Sequence, residues 1–121
     1  MFEGDRPIYL QIADRIRDDV LGGALKADEQ VMSTNQYASF YRINPATAAK
    51  AFQLLVEEGV LYKMRGIGMF VSPDAFDKLV EFRRRRFFEE VVEPMIHEAR
   101  MIGIPLQDVV TRIEEVKGDD E

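Results

Sequence analysis

The stretch NPATAAKAFQLLVEEGVLYKMRGIGMFV, residues 44–71, decides how this chain folds. Asn44 is a good N-cap, because its side-chain oxygen accepts a backbone N–H left over in the first helical turn. Pro45 suits the first helical position, where a missing N–H costs nothing. Ala48, Ala51, Phe52, Leu55 and Val56 then recur at helical spacing and predict a buried stripe, with Thr47, Lys50 and Gln53 on the other face. Ala46, Ala48, Ala49 and Ala51 allow this helix to lie close to a neighbouring surface, either another helix or the floor of a nucleic-acid groove. Gly59 ends the helix. Val60 to Lys63 and Met69 to Ser72 favour extended structure, and Arg65-Gly66-Ile67-Gly68 between them supplies the positive-φ positions of a tight hairpin. A capped helix running into a glycine-pinched ribbon is the outline of a winged helix-turn-helix.

Working back towards the N-terminus, Ser33-Thr34-Asn35-Gln36 has the S-x-x-Q form of a capping box, so a short helix should begin at Ser33. Tyr37, Ala38 and either Tyr41 or Phe40 face inward, and Arg42 and Ile43 make the turn into Asn44. Ahead of it, Ile8, Ile12, Ile16 and Val20 fall one turn apart on an amphipathic first helix. Pro7 is expected at its first position, with Asp5 or Arg6 as cap, and Gly22-Gly23 stops it. Ala24 to Gln30 reads as a loop leading to Val31-Met32, a candidate minor strand.

Ser72-Pro73-Asp74 breaks the pattern in the other direction. From Ala75 to about Ile102 apolar residues persist at helical spacing, and Pro94 is expected to kink that long helix near Glu90 to Pro94. Gly103 closes it, and Pro105 opens a last helix with Leu106, Val109, Val110 and Ile113 on one face. Lys117 to Glu121 reads as a frayed acidic tail. The domains expected are 1–73, the winged helix-turn-helix, and 74–121, a two-helix region. The fold class is mainly α with a small β-wing.

The chain has 121 residues, enough to bury a core without staples, and no cysteine. With no signal-peptide pattern, a reducing cytoplasm is the expected setting. No apolar run reaches the roughly 20 residues of a membrane span, so no membrane association is expected. The net charge is −6, but it is unevenly spread. Up to Pro73 eight basic residues meet nine acids, so residues 74–121 carry −5 of the total. Between Ser33 and Ser72 the only acids are Glu57 and Glu58, against Arg42, Lys50, Lys63 and Arg65.

Taken together, Pro7-Ile8-Tyr9-x-Gln11-Ile12, Ser33 followed by Ala38, Asn44-Pro45-x-Thr47-x-x-Lys50-Ala51-Phe52-x-x-Leu55-x-x-Glu58-Gly59 and Arg65-Gly66-x-Gly68-x-Phe70-Val71 resemble the GntR family of bacterial transcriptional regulators. The resemblance covers nearly the whole chain. Asn-Pro before the recognition helix and a C-terminal part of only two helices point to the small YtrA-like subfamily. The resemblance implies a DNA-binding winged domain and a homodimer made by the C-terminal helices. It also implies a two-fold symmetric operator, with Asn44 to Gly59 in the major groove and Arg65 to Gly68 along the backbone or minor groove.

The sequence departs from the family where many members carry arginine: Asn35, Pro45 and Ala49 occupy those positions. Ile67 replaces the basic residue between the wing glycines, and Met32 the proline before Ser33. Guanine reading by those arginines is therefore excluded. Phosphate positioning falls to Ser33, Thr34, Arg42, Thr47, Lys50 and Arg65, and base contact to Asn35, Asn44 and Thr47, with Gln36, Lys63, Gly66 and Gly68 completing the candidate set. Phe87, Phe88, Val91, Val92, Met95 and Ile96 are the candidate dimer surface, because one short helix cannot bury them on itself. The run Arg83 to Arg86 is read as snorkelling over Phe87 and Phe88 and pairing with nearby glutamates. The rival reading is a dimer cleft for an anionic effector.

His97, the only histidine, is expected at a surface or interface, since no ligand spacing surrounds it; no metal or cofactor is expected. No enzyme reading survives: Gly66-x-Gly68 is too short for a phosphate cradle, and no nucleophile–base pair is evident. A small-molecule effector is expected, where one acts, between the winged domain and the long helix. The competing reading, favoured by the net acidity and the missing arginines, is a winged-helix protein-interaction module.

Overall fold

The structure, a computed structural model, describes residues 2–120, the last of them without its side chain. Six α-helices and one two-stranded antiparallel sheet follow one another along the described residues. Two compact units divide the chain, the first ending at Glu81 and the second beginning at Phe82.

In the first unit, α1 spans Ile8–Leu21 and buries Ile12, Ala13, Ile16 and Val20. Pro7 is the N-cap rather than the first helical residue, since its ψ of 139° is extended. Neither Asp5 nor Arg6 caps the helix by a side chain. Gln11 Nε2 instead donates to the Arg6 carbonyl at 2.7 Å, tying the arm to the first turn. Helix α2, Thr34–Tyr41, starts at Ser33 with both halves of the capping box formed. It buries Tyr37 and Ala38, and Tyr41 is half-buried while Phe40 is exposed. Helix α3, Pro45–Glu57, follows its Asn44 cap and buries the predicted Ala48, Ala51, Phe52 and Leu55.

Both ends of this helix pair are fixed by main-chain geometry. After α3, Gly59 N–H donates to Val56 and Val60 N–H to Leu55, with Gly59 at φ +80°, a Schellman closure that only glycine adopts without strain. After α2 the same pattern recurs, with Ile43 N–H donating to the Ala38 carbonyl at 2.9 Å. There the left-handed position is filled by Arg42, at φ 54° and ψ 52°. A side chain at that position costs about 1 kcal/mol or more.

The ribbon is β1, Leu61–Met64, paired with β2, Gly68–Val71, in the register Leu61 to Val71 through Met64 to Gly68. Each strand is displaced by one residue from its sequence-based limits because Val60 is committed to closing α3, although its carbonyl still accepts from Ser72 N–H at 2.9 Å. The minor strand lies slightly earlier than Val31-Met32. Asp28 and Val31 donate to Val71 and Met69, Val71 donates to Glu29, and Gln30 forms a bridge to Phe70. Residues 28–31 thus cover the outer edge of β2.

Helix α4, Ala75–Phe87, begins in the first unit, with Ala75 and Leu79 in the same core cluster as Phe52 and Leu55. That packing carries the first unit past the composition break at Pro73. In the second unit the helix passes through a π-helical turn, Phe88–Val92, into α5, Glu93–Met101. Pro94 accounts for this local change: it has no N–H for the Glu90 carbonyl, and its ring would clash there in a regular α-turn. The backbone on both sides, at Phe87 and Glu93, stays right-handed helical. Gly103, at φ 76°, closes α5, with Ile104 N–H donating to Ala99. Helix α6 is Leu106–Asp120. The expected frayed tail is therefore helical, except that Glu121 lies outside the described residues.

Candidate nucleic-acid interface

The exposed residues of α3 are Pro45, Ala46, Ala49, Lys50, Gln53 and Glu57. From Ala46 onward they recur at helical spacing, so they form one stripe opposite the buried one. Its N-terminal half is made of alanines, which lets backbone approach a groove floor closely. Thr47, expected on this face, is half-buried at its edge.

The caps that start α2 and α3 also set what their side chains offer outward. Ser33 Oγ accepts from Gln36 N–H at 3.1 Å, and Gln36 Oε1 accepts from Ser33 N–H at 2.9 Å. Asn44 Oδ1 accepts from Ala46 N–H at 2.7 Å. With these oxygens turned inward, Ser33, Gln36 and Asn44 present O–H and NH2 donors, which suit phosphate oxygens and the acceptor edges of purines. Asn35 is exposed and forms no internal hydrogen bond among the described residues, so both ends of its amide are available. Thr34 is half-buried on the first turn of α2, and Arg42 is exposed in the turn.

Lys50 differs from its expected place as a free phosphate contact. Its ammonium sits 4.1 Å from the centroid of the Tyr9 ring on α1, a cation–π pair that holds the stem against the first helix. The charge remains at the surface but in a defined place. Tyr9 is thus part of the site; the sequence marked it as part of the Pro7-Ile8-Tyr9 motif but not as the seat of Lys50.

In the wing Lys63, Arg65, Gly66 and Ile67 are exposed. The Ile67 N–H donates to the Met64 carbonyl at 3.0 Å, with Gly66 at φ 78° in the position where a type II turn requires a positive value. The wing is braced from the 28–31 segment. Gln30 Nε2 donates to the Ile67 carbonyl at 3.1 Å, and Tyr62 O–H donates to Asp28 Oδ1 at 2.8 Å. That hydrogen bond to a carboxylate raises the Tyr62 phenol above its usual pKa. Tyr62 also stacks on Phe70 across the ribbon, with centroids 5.5 Å apart. Gln30 carries no sequence signal beyond its place in a loop, and it was not among the predicted residues.

The first unit is tied across its base by ion pairs. Arg17 bridges Asp14 at 2.9 Å and Glu58 at 2.7 Å, joining α1 to the end of α3. These pairs commit both acids next to the ribbon's entry.

The family comparison decides what this arrangement belongs to. Residues 8–71 match the family "Bacterial regulatory proteins, gntR family". The chain belongs to the GntR family. It is 30% identical over 113 residues to the HTH-type transcriptional repressor YtrA of Bacillus subtilis, covering 93% of this chain and 86% of that protein. A GntR-family regulator structure from Bacteroides thetaiotaomicron superposes with a TM-score of 0.79 at 31% identity, covering 94% of this chain and 99% of the other. AraR(DBD) in complex with operator ORX1 superposes with a TM-score of 0.56 at 27% identity, over 60% of this chain and 93% of the other. This GntR member is a DNA-binding transcriptional regulator with a winged helix-turn-helix, and no helix among its described residues is long and apolar enough to cross a membrane.

Two other features bear on function. A cavity of about 190 Å³ in the first unit is lined by Val20, Leu25, Lys26, Ser72, Pro73 and Phe76, where β2 runs on into α4. Of the candidate dimer surface in the second unit, Phe87, Phe88, Val91 and Met95 are exposed, whereas Val92 and Ile96 are half-buried within the unit. The exposed apolar surface also includes Met101, Ile102, Ile104, Val110, Ile113 and Val116. In the arginine run, Arg86 pairs with Glu90 at 3.4 Å and lies over the Phe82 ring, one turn earlier than the predicted Phe87 and Phe88.

Proposed function

We propose that this GntR protein is a cytoplasmic, non-enzymatic repressor that binds a two-fold symmetric operator as a homodimer. The observation that carries the reading is the exposed α3 stripe flanked by Arg42 and the braced wing. It offers donors and cations, and its acids, Glu57 and Glu58, lie at the far end of α3. In this reading Asn35 and Asn44 contact base edges. Ser33, Thr34, Arg42, Thr47, Lys50, Lys63 and Arg65 contact the sugar–phosphate backbone. The strained arginine at φ 54° supports the assignment of Arg42, since a glycine would make the same turn without cost. The exposed apolar surface of α5 and α6 supports the dimer, and the printed name of the Bacillus relative supports repression.

Selection of bound sites from random DNA with the full chain tests this. The expected product is a palindrome whose half-sites lie about 34 Å apart, one turn of the duplex. Affinity should fall steeply with salt. Charge reversal at Lys50 and Arg65 should lower affinity on the order of a hundredfold. Unchanged binding in that double variant would support the protein-interaction module instead. We assign any small-molecule effector to the cavity beside Phe76, where a ligand would touch both the end of the wing strand and the start of α4. Ligand-induced thermal shifts that survive Ser72→Leu would place the effector elsewhere.

A further inference from the structure

The wing tip has two features that phosphate binding does not explain. Ile67 is 59% exposed and Met64 43%, so two aliphatic side chains stand in water at the end of the ribbon, outside the core cluster. Behind them the tip is propped by a side chain from another segment. Gln30 donates to the Ile67 carbonyl at 3.1 Å, and it packs so closely over Gly68 that a Cβ there would meet Gln30 Nε2 at 2.6 Å. The backbone of Gln30 is held in turn by its bridge to Phe70. A hairpin tip is ordinarily the freest part of a ribbon, and here it is supported through one carbonyl.

We propose that Gln30 is a positioning residue for the wing: by holding the Ile67 carbonyl it sets Ile67 at a fixed depth in the minor groove beside each half-site, where that side chain selects A·T over G·C pairs. The inference rests on the reading of this surface as a DNA interface. The minor groove is about 6 Å wide, and A·T and T·A pairs offer only acceptors there, whereas a G·C pair adds the guanine N2 amino donor. An aliphatic tip has no acceptor for that amino group. Pressed against it, Ile67 removes its water and leaves the donor unpaired, a penalty absent over A·T. Such discrimination needs contact at a set distance, because a tip free to retreat lets water back in. Gly66 has open space around it, with nothing within 4 Å of where a Cβ would stand, so the groove walls can close on the tip. Lys63 and Arg65, both exposed on the wing, can meet the flanking phosphates.

The test uses the full chain and its selected operator, with the flanking pair under the wing changed to A·T, G·C or hypoxanthine·C. Hypoxanthine·C lacks the N2 amino group and keeps the guanine-like major-groove edge. The wild type should bind the G·C duplex on the order of tenfold more weakly than the A·T duplex, with affinity restored by hypoxanthine. Ile67→Ser should flatten the preference. Gln30→Ala should also flatten it, with the melting temperature and the salt dependence of binding unchanged, which a purely structural role would not produce. Equal binding to all three duplexes, hypoxanthine behaving like guanine, or full discrimination in Gln30→Ala would each overturn the proposal. Failure to bind any duplex would overturn the DNA-binding reading with it, whereas binding without flank preference would overturn this inference alone.

Discussion

The two units make opposite use of their apolar residues. The first gathers Ile12, Ile16, Phe52, Leu55, Leu61, Val71 and Leu79 into one cluster, with Phe52 at 1% exposure. In the second, Ala99 is the buried hydrophobic among the described residues, while Phe87 and Phe88 are each 52% exposed. Regular hydrogen-bonded helices are present in both, so secondary structure does not distinguish them. What distinguishes them is whether apolar area is removed from water, which supplies roughly 25 cal/mol per Å². The first unit supplies its own core. The second has helices whose apolar faces stay in water, and in the proposed homodimer a second copy of the chain would supply an identical surface to cover them.

This contrast can be broken most strongly at Phe52. Phe52→Ala should destabilise the first unit by about 3–5 kcal/mol, read as a lower denaturant midpoint. The paired substitution Phe88→Glu with Val91→Glu should leave the first unit folded. If the proposed dimer forms through this surface, the substitutions convert it to monomer in sedimentation and lower operator affinity about a hundredfold or more, as the second half-site is no longer engaged in the same event. A dimer that survives these charges would remove the role assigned to this surface.

Tyr37 sharpens the comparison from within the buried unit. Its ring packs on Tyr41 and Phe52, with centroids 4.5 Å and 5.5 Å away, while its hydroxyl is buried without a hydrogen-bond partner among the described residues. Burial, followed by the neighbouring Tyr41, pushes the phenol up to about 12 from 10.0. The folded state therefore favours the neutral form. The resulting stability is complete below pH 10 and is lost as pH rises through about 12. That loss is at most about 3 kcal/mol. Tyr37→Phe should abolish the alkaline loss while changing neutral-pH stability by no more than about 1 kcal/mol, as seen in melts across pH. The smallest effect is at Arg42. Arg42→Gly should raise stability by up to about 1 kcal/mol by relieving the left-handed backbone, yet weaken operator binding several-fold. A fall in both quantities would show that the side chain supports the fold.

The elements of the first unit were legible because each carries a local chemical mark. Asn44-Pro45, the Ser33 to Gln36 capping box and the glycine-pinched Arg65 to Gly68 turn state their conformations in neighbouring residues. The stripe Ala48, Ala51, Phe52 and Leu55 likewise follows from helical period alone. Less legible were features made between segments. The bracing of Ile67 by Gln30 joins residues far apart in sequence, and the seat of Lys50 on Tyr9 joins two helices; neither leaves a periodic trace. Arg42 shows a further limit, since nothing in Tyr41-Arg42-Ile43 marks a left-handed residue that glycine would ordinarily occupy. In the second unit the helical faces were readable, but the π-helical turn displaced what lies beyond it.

That turn, Phe88–Val92, behaves as a one-residue insertion that the helix has absorbed without breaking. Each residue of an α-helix advances the azimuth by about 100°, so an extra residue in one turn rotates every later side chain by about that angle. Pro94 keeps the extra residue from being annealed away, because the regular turn would force its ring against Glu90. A deletion of one residue between 88 and 92 would cancel that insertion and leave Met95 and Ala99 on the side they now occupy, at the cost of a regular turn that forces the Pro94 ring against the carbonyl one turn before it. A second insertion would instead swing them by about 100°, so length at this point, as well as composition, sets which surface the helix presents.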